Sequence, residues 1–210
     1  MANTNVRLSL ALDACSLTIP QPDSLIVNAN DTADYSKLGN ASCIQWFKPT
    51  CDRLIEIGFK TFQDFSSVNN FALVEITRSK PQSLGLIAQA FDTLSKNSIL
   101  MIDGNKTDGI ESHLKTLRKL FNIEGVISKA HGKIFWIKKS TRPQILDQWL
   151  KGLEPTKIDH NYSTKAGIFS ANHIDKASAL LLENLPNHLS GNGADLGAGW
   201  GYLSLSLIHI

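Results

Sequence analysis

The chain has 210 residues, of which 42% are hydrophobic and 19% charged, and its formal net charge is +2. That apolar content excludes a disordered chain, and so small a basic surplus gives no argument for nucleic-acid binding from bulk charge. No run approaches the ~20 apolar residues of a membrane span, and the opening "MANTNVRLSLALDACSLTIP" lacks the pattern of a signal peptide, so a cytoplasmic chain is expected.

In chain order, "SLIVNA" (Ser24–Ala29) is a short apolar run ending in turn formers, the pattern of a buried parallel strand. "PTCDRLIEIGF" places Cys51, Leu54, Ile55 and Gly58 at helical spacing behind Pro49, with Gly58 as the stop. "FALVEI" (Phe71–Ile76) predicts the next strand. A helix follows with Leu84, Ile87, Phe91 and Leu94 on one face, behind Pro81. "SILMID" (Ser98–Asp103) predicts a third strand, and "DGIESHLKTLRKLF" a helix with Ile110, Leu114, Leu117 and Phe121 inward. "EGVISKAHGKIFWIKK" predicts a hairpin turning at "AHGK". Strands alternating with helices imply an α/β domain with a mostly parallel sheet and an antiparallel pair at its end.

"STRPQ" (Ser140–Gln144) breaks the pattern. "ILDQWLKGL" predicts a short helix with Ile145, Trp149 and Leu150 on one side, and "EPTKIDHNYSTKAG" a polar connector. The pattern then restarts with a helix, "HIDKASALLLENL", whose Ile174, Ala177, Leu181 and Leu185 form a core-packing face. "GNGADLGAGWGYLS" follows, with a strand expected at "ADLG". The expected division is 1–142 as a first domain, 143–165 as a linker and 166–210 as the start of a second.

Cys15, Cys43 and Cys51 fit no zinc spacing and are odd in number, and the six histidines are scattered. Reduced thiols and no metal are expected.

The chemistry concentrates in "ADLGAGWG". Asp195, Gly197, Gly199 and Gly201 form D-x-G-x-G-x-G. Glycines at this spacing let the backbone turn tightly and approach a ligand without a β-carbon in the way. The helix after them offers free N–H groups to an anionic group. A dinucleotide fingerprint would need its third glycine at 202, where Tyr202 stands.

This compressed motif resembles motif I of class I S-adenosylmethionine (SAM)-dependent methyltransferases. Upstream, "AGIFSANHIDKASALLLENLP" (Ala166–Pro186) is similar to a segment of the ribosomal RNA small subunit methyltransferase C family, matching at Gly167, Phe169, Ser170, Asp175, Ser178, Leu181 and Leu182. Lys176 and Ala177 depart from the small residues usual there. The resemblance implies SAM as cofactor, held by Asp195, Gly197, Ala198, Gly199 and Gly201, with Phe169 and Ser170 lining it. It implies methyl transfer to the exocyclic N2 of a guanine in small-subunit rRNA, with that RNA or the assembling subunit as partner. It also implies a Rossmann-like N-terminal domain without a cofactor site. "GNKTDGI" (Gly104–Ile110) and "SKAHGKIFWIKK" (Ser128–Lys139) are similar to family segments, and "NANDTADYS" (Asn28–Ser36) has no glycine where a working domain would turn.

The family's catalytic N-P-P-[FY] element occurs nowhere in the 210 residues. "LSLIHI" (Leu205–Ile210) is also what the mosaic end of transposon-based library adapters encodes. The expectation is therefore a C-terminally truncated methyltransferase, inactive alone, with its catalytic residues beyond the end and residues 205–210 as adapter read-through.

Two other functions stay open: a non-enzymatic RNA- or ribosome-binding α/β module, and a SAM methyltransferase with a small-molecule or protein acceptor. Lys106, Lys115, Arg118, Lys119, Lys133, Lys138, Lys139 and Arg142 are candidate phosphate contacts or a solvated surface. Of Phe135 and Trp136, which alternate on a strand, one is expected in the core and neither stacked on a base.

Overall fold

The computed structural model describes residues 3–15, 23–65, 68–158, 162–186 and 188–208. They fall into two compact units that divide after Gly152.

The first unit is built on a seven-stranded sheet. Its elements are α1 (Asn3–Ala14), β1 (Ser24–Val27), β2 (Ser42–Ile44), α2 (Lys48–Glu56), β3 (Lys60–Phe62), β4 (Asn69–Glu75), α3 (Lys80–Thr93), β5 (Leu94–Asn105), α4 (Ile110–Leu117), β6 (Gly125–Lys129), β7 (Gly132–Lys138) and α5 (Ile145–Lys151). The strand order is β3-β2-β1-β4-β5-β7-β6. The pairs from β3 to β5 are parallel, and β7 runs antiparallel to both of its neighbours.

Both faces of this sheet are covered, which explains its unbroken apolar runs. Successive side chains point to opposite faces. Leu25, Val27, Ala72, Val74, Leu100, Ile102, Phe135 and Ile137 pack on one side with Ile87, Phe91, Leu114 and Leu117 from α3 and α4. Ile26, Phe71, Leu73, Met101, Ile134 and Trp136 pack on the other with Leu8, Ala11 and Leu12 from α1. Phe135 and Trp136 are thus both core residues, on opposite faces, where only one was expected inside.

Local chemistry sets the helix ends. α2 opens at Lys48–Pro49 and stops before Gly58, whose φ of +99° a side chain would resist. At α3, the Ser79 hydroxyl accepts from the Gln82 amide, a cap worth about 1 kcal/mol. The hairpin turns at Ala130 and His131, both left-handed, although neither is glycine.

Three elements were not expected: α1 and the short strands β2 and β3. The segment assigned to a linker also differs. Within it, α5 belongs to the first unit, because Leu146 and Trp149 are buried in the core beside α3.

The second unit contains a two-stranded ladder, β8 (Thr156–Lys157) with β9 (Ser163–Thr164), then α6 (Lys176–Glu183) and α7 (Tyr202–Leu207). Asp175 caps α6, accepting from the Ser178 amide at 2.9 Å. Two expectations fail here. The strand at "ADLG" does not form, and Leu196 is 92% exposed. The apolar face of α6 is not in a core: Leu181 is exposed, and no α6 residue is buried. Both need a sheet, since a strand needs paired neighbours and an apolar helix face needs a surface to cover it. The only ladder among the described residues of this unit is two residues long.

No helix among the described residues is long and apolar enough to cross a membrane. The three cysteines are unpaired, and Cys43 and Cys51 are buried.

Candidate functional site

The glycine turn lies between Asp195 and α7. Gly197, Gly199 and Gly201 have φ of +78°, +60° and +87°. All three are left-handed, the conformation for which glycine is the ordinary residue. A β-carbon at Gly197 would meet nothing within 4 Å, so the backbone there is open to approach. The Gly201 amide closes the turn on the Ala198 carbonyl at 2.9 Å. The amides of Gly197, Ala198, Gly199 and Trp200 donate to no described residue. Successive unpaired N–H groups in a left-handed turn suit an anionic oxygen.

Asp195 is placed by the helix that follows. Its Oδ2 accepts from the Ser204 hydroxyl at 2.7 Å, and a carboxylate held this way keeps acceptor capacity for an ammonium group.

Of the upstream residues, Phe169 reaches the turn, and the Ser170 hydroxyl is used as a donor within its own loop. The Phe169 ring is 3.9 Å from where a β-carbon on Gly199 would stand. Ser170 has φ +52° and donates to the His173 carbonyl at 2.8 Å, within its own loop. A packing partner missed in the sequence is the trio Tyr162, Trp200 and Tyr202, whose rings lie 5.2 to 5.8 Å apart. Their one signal was the aromatic density of "GWGY", which only a folded chain joins to Tyr162.

The candidate phosphate contacts of the first unit are not one free set. Lys133 pairs with Glu111 at 3.2 Å, Arg142 with Asp92 and Asp147, and the Lys139 ammonium sits over the Phe91 ring and donates to the Leu94 carbonyl. Lys106, Lys115, Arg118, Lys119 and Lys138 have no ion pair among the described residues. No three His, Cys, Asp or Glu side chains among those residues are placed to hold a metal ion.

The sheet order of the first unit, with its antiparallel β7, is that of a Rossmann-like class I methyltransferase fold, and comparison with known proteins agrees. Residues 159–209 match the family model described as methyltransferase small domain. The structure is similar to that of the T. thermophilus 16S rRNA N2 methyltransferase RsmC in complex with AdoMet and guanosine, with a TM-score of 0.63 at 17% identity. That match covers 80% of this chain and 49% of the other.

By sequence, the chain is related to proteins named ribosomal RNA small subunit methyltransferase C. It is 22% identical to the one from Colwellia psychrerythraea, over 89% of this chain and 53% of that protein. It is 30% identical to the one from Shewanella oneidensis, over 66% and 42%. The chain spans about half the length of the curated relatives it matches.

Proposed function

We propose that this chain carries the cofactor-binding turn of a SAM-dependent methyltransferase that modifies the exocyclic N2 of a guanine in small-subunit rRNA. The observation that carries the proposal is the turn at 197–201, with three left-handed glycines and a run of unpaired amides beside Asp195. These residues fit the methionyl end of SAM. The amides of Gly197, Ala198 and Gly199 suit its carboxylate, Asp195 its ammonium, and Gly201 closes the turn. Phe169 packs beside Gly199, and Ser170 shapes the loop that presents it. When bound, SAM supplies an electrophilic methyl group. The work of these residues is orientation, which fixes the methyl for in-line attack.

Small-subunit rRNA as substrate rests on the curated relatives' names, and the N2 acceptor on the name of the T. thermophilus protein of similar structure. The 210 residues contain no Asn-Pro-Pro run with which to hold an amine. The proposal therefore assigns this chain a share in cofactor binding rather than the whole of catalysis, with the domain division near 143–165.

The test is methyl transfer by the complete gene product. It is incubated with tritiated SAM and small ribosomal subunits, and the RNA is digested to nucleosides. The expected product is N2-methylguanosine, with Asp195→Asn weakening SAM binding about tenfold, a charge-assisted contact of ~1.4 kcal/mol. A methyl group recovered on another atom, or on protein, overturns the acceptor. Unchanged SAM binding by Asp195→Asn overturns the site.

A further inference from the structure

The first unit carries a crevice of about 280 Å³ at the C-terminal ends of β1, β4 and β5. It lies where the sheet order reverses, since the chain leaves β1 for β2 on one side while β4 and β5 extend from the other. Loops diverge at such a point and leave room for a ligand.

Two carboxylates, Glu75 and Asp103, line it, and they differ in how they are satisfied. Asp103 has both oxygens engaged. Arg7 Nε donates to Oδ1 at 2.6 Å, and Arg7 Nη2 and the Thr4 hydroxyl donate to Oδ2 at 2.7 and 3.0 Å. Glu75 is only 9% exposed, and its Oε1 accepts from the Tyr35 hydroxyl. Its Oε2 accepts from no described residue. Arg7 is already committed to Asp103, so Glu75 is a buried acid without a cation.

The walls bring two further carboxylates, Asp31 and Asp108, beside the Asn30 amide and the Thr50 hydroxyl. The Asn28 amide nitrogen is used on the Glu75 carbonyl at 3.0 Å, which leaves its side-chain oxygen unpaired. Gln45 Nε2 is used on the Ala29 carbonyl at 2.7 Å. Gln45 Oε1 is engaged by the Trp46 and Phe47 amides, and Asp108 accepts from Asn105 at 3.0 Å and pairs with Arg78 at 3.6 Å, which leaves Asp31 as the wall carboxylate without an ion pair among the described residues. A phosphate would meet repulsion here, whereas an N–H-bearing cation would satisfy what the crevice leaves open.

We propose that this crevice binds a small organic cation with N–H donors, a primary ammonium or a guanidinium, on the free oxygen of Glu75. Neither the methyl-transfer proposal nor the relatives' names assign this site.

The groups facing Glu75 are Tyr35, Cys43, Asp103 and Arg7. Burial pushes its carboxyl up to about 8, with Asp103 adding to the rise and Tyr35 and Arg7 opposing it. Cation binding then expels a proton, so below pH 8 affinity rises with pH, toward tenfold per unit.

The full chain, labelled with nitrogen-15, is titrated with agmatine, which carries a guanidinium and an ammonium, at pH 6.5, 7.0 and 7.5. Tetramethylammonium, which has no N–H, is the control. Saturable shifts of the amides at 28–31 and 75–76 are expected, with Kd falling five- to tenfold from pH 6.5 to 7.5. Tetramethylammonium should give no saturation. Glu75→Gln should weaken binding at least tenfold at pH 7.5, and Asp31→Asn, at a surface turn, two- to threefold. Absence of saturable shifts, a pH-independent Kd, equal binding of tetramethylammonium, or unaltered binding by Glu75→Gln would each overturn the proposal. The wild-type pH series decides it even if Glu75→Gln fails to fold.

Discussion

Arg7 and Asp103, 96 residues apart in the chain, meet as a two-armed ion pair with side chains 1% and 2% exposed. Burial pushes the Asp103 carboxyl up, while the guanidinium and the Thr4 hydroxyl hold it down. The pair is ionised, because a guanidinium keeps its charge and both carboxylate oxygens are met. The other guanidinium arm donates to the Ala130 carbonyl at 3.1 Å, so one side chain ties α1 to β5 and to the hairpin turn.

Arg7→Met is therefore expected to cost roughly 3–5 kcal/mol, because it strands a buried carboxylate. Asp103→Leu in the same chain should recover much of that loss by removing the stranded charge. Urea denaturation of the two single variants and the double variant measures the coupling. Additive losses would show that the pair is not the anchor.

Glu75 makes stability fall with pH. Its folded pKa, about 8, lies above the ordinary 4.5, so the folded state holds the extra proton between those values. The benefit is full below pH 4.5 and is lost as pH rises through about 8. Glu75→Gln should flatten this decline, a difference on the order of 3–4 kcal/mol between pH 5 and 8. Denaturant midpoints of the wild type and the variant across that range check it.

His113 acts in the opposite direction. It is buried, its Nδ1 lies 3.0 Å from the Gly109 carbonyl, and its Nε2 has no partner among the described residues. Burial lowers its pKa below 6.5, and the Lys80 charge adds to the effect. The folded state resists the proton that the unfolded chain accepts, so stability present above pH 6.5 is lost as pH falls through the lowered folded value. His113→Leu should remove that acid-side slope, as followed by thermal melts between pH 5 and 7.

At Gly132 a methyl group would run into the Gly104 carbonyl oxygen and the Arg7 guanidinium. Gly132→Ala should destabilise by about 1–3 kcal/mol through overpacking, and less when Arg7 is already Met. Gly58→Ala probes a different effect. A β-carbon there has open space, so its cost comes only from the +99° φ, of order 1 kcal/mol. Comparing the two in urea separates collision from backbone strain.

The sheet was legible where burial on both faces wrote long apolar runs. "FALVEI" and "SILMID" declare strands because burial on both faces demands apolar side chains through their middles, with the carboxylates of Glu75 and Asp103 confined to the C-terminal ends. β2 and β3 are three residues each, and β3 lies at the edge with Lys60 and Phe62 exposed, so no run marks them. α1 was hidden because it buries the polar Thr4 and Arg7 beside Leu8, Ala11 and Leu12 while it exposes Val6 and Leu10. Among the site residues, the glycines were legible because positive φ selects for them. Phe169 is a candidate only through family resemblance. The hydrogen bond from the Ser170 hydroxyl to the His173 carbonyl is one that no spacing announces. The strand expected at "ADLG" shows the converse, since a sequence can write a strand that forms only when neighbours pair with it.

The Arg7 anchor also fixes an order of events at the ribosome. Arg7 is made early, but the Ala130 carbonyl and the β7 strand behind it are made more than a hundred residues later. At 5–20 residues per second, α1 waits roughly 6 to 25 s before its docking surface exists. Over that interval Leu8, Ala11 and Leu12 lack Ile134 and Trp136, two members of the cluster they join. The first unit therefore closes only after the hairpin at 125–138 is made, because that hairpin supplies the far side of the surface on which α1 docks.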